Sequence, residues 1–278
     1  PAMLRIVVHP SMDLCLLSSS ARKPGKKFVV LVNTRFSIVN GHKSAEQVLQ
    51  SLRRLEVLRE PADEQFYADF IRRAIPMLQA FIQATLDIAA LDSAIQVIVR
   101  PHPGESSECY LQAFAGHQNI EVDNHTPLTQ HLLDADIILH EGCTTAIEAA
   151  LMGKPSVALA LTPPLSAPQA LPNSFSHVCA SREDAVAAIA AAWRSGHAGE
   201  PDIDEQARAA LENATGRYAF ERILDVIDEL ALAPLPSAAL HSSLAHGQRT
   251  KDLRLTIKRW LYLNFLPRLL HKQPADIS

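Results

Sequence analysis

Three short stretches of this chain carry groups able to handle a phosphorylated ligand. The first is Gly142-Cys143-Thr144-Thr145, which opens an alanine-rich helical run. Helix N-termini leave N–H groups unpaired at the positive end of the dipole, so the N–H groups of Cys143, Thr144 and Thr145 suit a phosphate. The threonine hydroxyls would hold its oxygens, and Glu148, one turn on, would accept from ribose hydroxyls. Thr145-x-x-Glu148 is also the spacing of a capping box, in which each side chain bonds the other's backbone N–H and no ligand is involved. Spacing alone leaves both readings open. The second stretch is Arg100-Pro101-His102-Pro103. Prolines on both sides exclude regular structure, so the loop is stiff and presents its imidazole in a fixed direction. An imidazole can carry a proton near neutrality, so His102 is the candidate catalytic group, donating to a phosphate or helping a leaving nucleotide depart. Its alternative is a loop histidine bonded to a carbonyl. Arg100 is either a phosphate ligand or a partner for Glu105. The third stretch is Asn33-Thr34-Arg35, at the end of an apolar run, with His140 and Glu141 at the end of another. These residues are candidate substrate contacts, but a strand-end histidine is as often structural, and Asn33, Thr34 and Arg35 carry the same two readings.

The elements that must position them alternate between strand and helix patterns. Phe28 to Val32, Ala94 to Val99 and Ile137 to Leu139 are apolar, β-branched runs of the kind buried on both faces of a parallel sheet. Helical spacing fills Ser44 to Ala90, with Pro61 separating two helices, then Ser106 to Gly116, Thr126 to Leu133, Arg182 to Arg194 and Asp204 to Leu230. Ile120 and Val122 form an edge-type strand. Four prolines between Thr162 and Pro172 predict an extended loop. The fold class is therefore α/β, a Rossmann-like, mostly parallel sheet flanked by helices. Right-handed crossovers put the loops at Asn33, Arg100 and Gly142 on one carboxyl edge, where open sheets of this kind bind ligands.

Composition narrows the function. The 278 residues are 47% hydrophobic and 20% charged, ordinary for a globular protein with a proper core. Ten glycines with no Gly-x-Gly-x-x-Gly or Walker-type loop disfavour a dinucleotide cofactor or a P-loop kinase. Cys15, Cys109, Cys143 and Cys179 stand far apart, with no spacing for zinc, so neither a metal nor a cofactor is expected, and a reducing cytosol fits them best. Ser176 and His177 lack the Gly-x-Ser-x-Gly elbow of a hydrolase.

Arg100-Pro-His-Pro and Ile138-Leu-His-Glu-Gly-Cys-Thr-Thr-Ala-Ile-Glu-Ala-Ala-Leu-Met-Gly-Lys-Pro resemble the bacterial surface carbohydrate biosynthesis proteins, which have a GT-B-like glycosyltransferase architecture. The resemblance covers most of Val8 to Leu230 and includes Leu31-Val-Asn-Thr-Arg-Phe, Leu171-Pro-Asn-Ser-Phe-Ser and Leu211-Glu-Asn-Ala-Thr-Gly. Two departures stand out. Cys143 occupies a position where serine is usual, and His9-Pro10-Ser11-Met12 precedes Asp13 where relatives read Gly-Asn-Pro-Arg. Weaker similarity extends to wall teichoic acid glycerophosphotransferases and non-hydrolysing nucleotide-sugar epimerases. The resemblance implies the carboxyl-terminal, donor-binding half of a transferase: residues 1–25 a connector, 26–232 the domain that binds a nucleotide-activated sugar, 233–278 a basic segment. It implies a glycan or lipid-linked acceptor, a role in capsule or other surface polysaccharide synthesis, and no nucleic-acid partner. Two other classes compete, a nucleotide-sugar epimerase and a non-catalytic nucleotide-binding module. With about 25 residues before the first strand, the chain alone is expected to bind donor and turn over poorly.

The last stretch, residues 248–273, holds seven of the 26 basic residues and only one of the 30 acidic ones. Leu253, Ile257, Trp260, Leu261 and Phe265 can form an apolar helical face there, with Pro267 bending or ending the helix. It reads either as a helix docked on protein or as a peripheral contact with the inner face of the membrane, where each basic residue gains roughly 1 kcal/mol near an anionic leaflet. The expected location is cytoplasmic.

Overall fold

Every side chain of β1 (Phe28–Asn33) is buried, which is why its sequence is apolar without alternation, and the rest of the sheet is laid down on its two sides. The computed structural model describes residues 11–17, 27–164, 170–196, 199–205, 207–209 and 217–232. Within these, β2 (Ile95–Arg100), β3 (Ile120–Val122), β4 (Ile137–His140), β5 (Ser156–Leu159) and β6 (His177–Cys179) join β1 in a parallel sheet of order β3-β2-β1-β4-β5-β6. The order reverses between β1 and β4. That is the switch point at which an open α/β sheet leaves a crevice outside its carboxyl edge. In register, Asn33 lies between Arg100 and His140, so the last residues of three strands meet at this point.

In-register parallel strands send matching residues to the same face. Val30, Val32, Val97, Val99 and Leu139 face the larger core, closed by α3 (Pro61–Leu91) through Met77, Phe81, Ala84 and Ile88 and by α7 (Arg182–Ser195) through Ala185 and Ile189. Leu31 and Ile138 face the opposite side, under α1 (Ser11–Leu17), α5 (Leu128–Asp134) and α6 (Thr145–Leu151), where Cys15, Leu132, Ala149 and Met152 complete a second core. α3 is long and apolar enough to cross a membrane by length and composition, but its buried residues run from Ala74 to Ala89 against the sheet, and that makes it a core helix. Its 31 residues extend about 46 Å against about 20 Å for a six-residue strand. Since α3 returns the chain to the start of β2, its amino-terminal half overhangs the carboxyl edge, and Phe70, Arg73, Ala74 and Met77 become a wall of the crevice. α2 (Ala45–Arg54) precedes it with a full capping box between Ser44 and Gln47.

Several expectations are revised. The segment predicted as one helix from Asp204 to Leu230 is interrupted: Arg217 and Tyr218 are not helical, and α8 (Ala219–Leu232) starts afresh after them. The reason is a cap from far away in sequence. The Asp13 carboxylate accepts from Ala219 N–H at 2.7 Å and Phe220 N–H at 3.0 Å. The expected connector thus contains the helix α1, packed on α6. Of the extended loop expected from Thr162 to Pro172, Leu171 and Pro172 instead open a 3-10 turn, Leu171–Phe175. By its contacts the chain separates into two units, Pro1–Arg222 and Ile223–Ser278, and of the second only the continuation of α8 is described. Residues 1–10 and 18–25 of the expected connector, the strand-like run Leu4 to Val8 among them, and the basic stretch 248–273 lie outside the described residues.

Candidate functional site

At the end of β1 the three candidates diverge. Asn33 is 5% exposed and donates its side-chain amide to Thr145 Oγ1 at 3.1 Å and Cys143 Sγ at 3.3 Å, tying β1 to the start of α6. Its Oδ1 has no partner. Thr34 is buried, its hydroxyl donating to the Glu105 carboxylate at 3.0 Å, so this side chain is withdrawn from any ligand. Arg35 is partly buried, and its Nε is enclosed without an acceptor.

The loop after β2 is built around Glu105, a carboxylate 1% exposed that the sequence marked only as a partner for Arg100. It accepts from Thr34 Oγ1, from His102 N–H at 3.0 Å and from Tyr110 Oη at 2.5 Å. Three donors converge on this one carboxylate, which fixes its place as the hub of the loop. Burial, Glu105's charge and its hydrogen bond together keep the Tyr110 phenol far above its ordinary range, hence always protonated. Loop 36–41 is fastened to the same hub: Ser106 N–H donates to Asn40 O at 2.7 Å, Asn40 Nδ2 to Ser106 O at 3.0 Å, and Gly41 bridges Glu105. A Cβ at Gly41 would stand 2.1 Å from Ser37 O, so this approach requires glycine. The stiff loop expected from the prolines is held by Glu105 as much as by them. His102 projects outward, and its Nδ1 accepts Gly104 N–H at 3.1 Å, which leaves Nε2 as the protonated, outward nitrogen. Arg100 makes no ion pair with Glu105, and its enclosed Nε has no partner.

After β4, Gly142 takes φ +57, the left-handed turn that redirects the chain into α6. The capping box does not form. Thr144 is the N-cap without a side-chain bond, and the buried Thr145 hydroxyl is engaged with Asn33 and Cys143 instead. Cys143 N–H is not free either, since it donates to His140 Nδ1 at 3.2 Å. Of the three N–H groups expected to meet a phosphate, those of Thr144 and Thr145 remain. His140 is fully buried with both ring nitrogens in use, Nε2 donating to Ser176 Oγ at 2.8 Å, and burial with the nearby Arg35 charge holds it down to about 3. It is a neutral strut and does not line the crevice. Ser176 is buried as well and bonded to Ser156, which removes it as a nucleophile. Glu148 is partly buried, and its charge adds to the burial that pushes the Cys15 thiol of α1 up to about 11.

Glu141 lies in the crevice. Together with Arg35, Gly142, Asn173, and Arg73 and Met77 from α3, it lines a cleft at the carboxyl ends of β1, β4 and β5. Burial pushes its carboxyl up to about 7, Arg35 pulling it down and Glu105 raising it again. The cleft's enclosed volume is about 50 Å³, room for a few waters and not for a sugar nucleotide, so a ligand would lie across an open wall. Five buried side-chain atoms among the described residues lack a partner. Four of them, Asn33 Oδ1, Arg35 Nε, Arg100 Nε and Asn173 Oδ1, sit at strand ends or in the cleft, and His131 Nδ1 is the exception. Among the described residues no group of three or more His, Cys, Asp or Glu could hold a metal ion. Sequence reasoning missed Glu105, Arg73 and Asn173 as contributors. The Leu171-Pro-Asn-Ser-Phe-Ser segment was the one signal for Asn173, and nothing local distinguishes Arg73 on its helix.

No family model matches the chain, and no curated protein matches it. Among solved structures it is similar to a protein described as a UDP-N-acetylglucosamine 2-epimerase from Listeria monocytogenes, 14% identical over 75% of this chain and 51% of that one, with a TM-score of 0.42. It is similar to the glycotransferase of kitacinnamycin, 17% identical over 62% of this chain and 37% of that one, TM-score 0.32. The wall teichoic acid polymerase TagF is 10% identical over 79% of this chain and 48% of its own, TM-score 0.35. The chain spans about half the length of these proteins or less. Its fold class rests on its own strand order, a Rossmann-like parallel sheet flanked by helices.

Proposed function

We propose that the crevice between β1 and β4 binds the phosphates of a nucleotide-activated sugar, and that the chain is the donor-binding part of a glycosyltransferase in surface polysaccharide synthesis. The observation that carries this reading is the pair of buried, unpaired guanidinium donors, Arg35 Nε and Arg100 Nε, at the ends of neighbouring strands beside the switch point. Leaving such a donor unsatisfied costs about 1–3 kcal/mol, and phosphate oxygens are the acceptors that guanidinium groups fit best. The Thr144 and Thr145 amides add donors, and His102, exposed on the loop after β2, is the group proposed to act on a departing nucleotide through Nε2–H. The motif resemblance supplies the sugar and the polysaccharide.

A calorimetric screen of CMP, CDP, UDP and GDP tests it. One diphosphate is expected to bind, and Arg35→Ala to weaken it roughly 10- to 100-fold, the worth of a charge-assisted hydrogen bond. A chain that binds none of the four has no such site. The same reading puts the protein at the cytoplasmic face of the membrane with a glycan or lipid-linked acceptor, and residues 248–273 against the bilayer. Cosedimentation with anionic vesicles at low salt is then expected for the full chain and not for one ending at Pro234, with release at high salt. Equal behaviour of the two chains would remove the membrane role of the tail.

A further inference from the structure

We infer that an anionic ligand entering the cleft between the loop after β1 and α3 takes up one proton from solvent onto the Glu141 carboxylate. The inference rests on the phosphate reading of the crevice and adds the protonation state in which the site binds. The argument begins with the charges that face Glu141. The loop after β1 brings Arg35, α3 brings Arg73, and the loop after β2 brings Glu105, near enough for its charge to be felt. Its neighbour on β4, His140, is held neutral. The segment after β5 and the 3-10 turn contribute Ala160, Thr162, Pro163 and Asn173, none of them charged.

Among the described residues Glu141 has neither a hydrogen bond nor an ion pair within 4.0 Å. The ionised form is thus favoured chiefly by the field of Arg35. Burial and Glu105 oppose it, and the balance already leaves the carboxyl near half-protonation at neutral pH, at about 7. A phosphate in the cleft changes two of these influences in the same direction. It occupies Arg35, whose Nε has no other partner, and it sets its own negative charge beside the carboxylate. Arg73 cannot replace Arg35 freely, because its Nη1 is held to Pro163 O at 3.0 Å. The empty cleft holds a shared proton, and the filled one a whole proton on Glu141.

The sign of the pH dependence follows. Below about 6 Glu141 is already neutral and affinity is level. Above about 7 each pH unit is expected to weaken binding up to tenfold, because a proton must be drawn from an ever more dilute pool. A nucleotide's own last ionisation, near about 6, works the other way and is complete only above about 7, so the level limb is that of an anion such as sulfate.

The test uses the full chain with two probes: UDP, and sulfate, which stays dianionic throughout. Calorimetry at pH 7.5 in two buffers of different ionisation enthalpy counts the protons taken up on binding, for the unaltered chain and for Glu141→Gln. Uptake of roughly 0.5–0.8 proton is expected, with none in E141Q, and for sulfate E141Q at pH 8 should bind as tightly as the unaltered chain at pH 6. Uptake that persists in E141Q overturns the inference. UDP binding with flat affinity and no uptake overturns it and leaves the nucleotide reading standing. Sulfate bound with uptake but no UDP bound upholds it and removes the nucleotide reading, and binding of neither removes both. Should E141Q not fold, a carboxyl NMR titration of the unaltered chain decides: a Glu141 midpoint that does not rise on adding sulfate overturns the proposal.

Discussion

Glu105→Ala is expected to lower folding stability by about 3–5 kcal/mol and the melting temperature by roughly 10 °C, the largest stability effect of any change at the crevice. The carboxylate is 1% exposed and is the shared acceptor of two hydroxyls and one backbone N–H: Thr34 Oγ1, Tyr110 Oη and His102 N. Alanine leaves two buried hydroxyls and the part-buried His102 N–H without an acceptor; each hydroxyl is worth about 1–3 kcal/mol when unsatisfied, less whatever it recovers by turning, and the N–H less than that. Glu105→Gln keeps the shape and one acceptor oxygen, so about half that cost is expected, and Tyr110→Phe, which removes one donor and leaves two, should cost less still. Urea denaturation of the three variants checks the ranking. An E105A chain melting within about 2 °C of the parent would mean that the hub contributes nothing. The hub also reaches the crevice electrostatically. Its charge helps raise Glu141, so E105Q should move the Glu141 midpoint downward, toward its ordinary range.

The sheet was legible because burial on both faces writes itself into the residues of a strand. Phe28 to Val32 and Ile137 to Leu139 are apolar at every position, and the Gly142 break gives the crossover at the switch point. The roles of individual side chains were less legible, since those depend on residues far away in the chain. Thr145 and Glu148 have the spacing of a capping box, yet the Thr145 hydroxyl is taken by Asn33, 112 residues earlier. Thr34 and His140 stand at strand ends pointing toward a ligand edge, but the first is committed to Glu105 and the second to Cys143 N–H and Ser176. Glu105 looked like a possible mate for Arg100 because the two are close in sequence, whereas its partners are fixed by how three loops pack. Conversely, Arg35, Glu141 and Gly142 were named from their places just past strand ends, and all three line the cleft. A strand end tells where a side chain begins. Whether it remains available is decided by the competing donors and acceptors around it.

The second large effect is expected at Asp13, on the side of the sheet covered by α1. Its carboxylate is 7% exposed and accepts from the first two N–H groups of α8, one oxygen to each, at 2.7 and 3.0 Å. A helix start needs acceptors for its unpaired donors, and an anion there also meets the positive end of the dipole. Capping of this kind is usually supplied by a residue next to the helix. Here it comes from 206 residues earlier in the chain, so the bond fixes the α8 start and the segment Ser11–Leu17 to each other. Asp13→Ala removes the anion and leaves the buried Ala219 N–H without an acceptor, a loss of about 2–3 kcal/mol. Asp13→Asn has the same size but only one acceptor oxygen, and its amide would face an N–H donor. It is therefore expected to recover less than half of the loss. Hydrogen exchange separates this from a general weakening of the fold: Ala219, Phe220 and the next turn of α8 should lose protection while β1 and β4 keep theirs. Protection at Ala219 that survives D13A would show that the cap is supplied by some other group and would end the argument for a tie between the two ends of the unit.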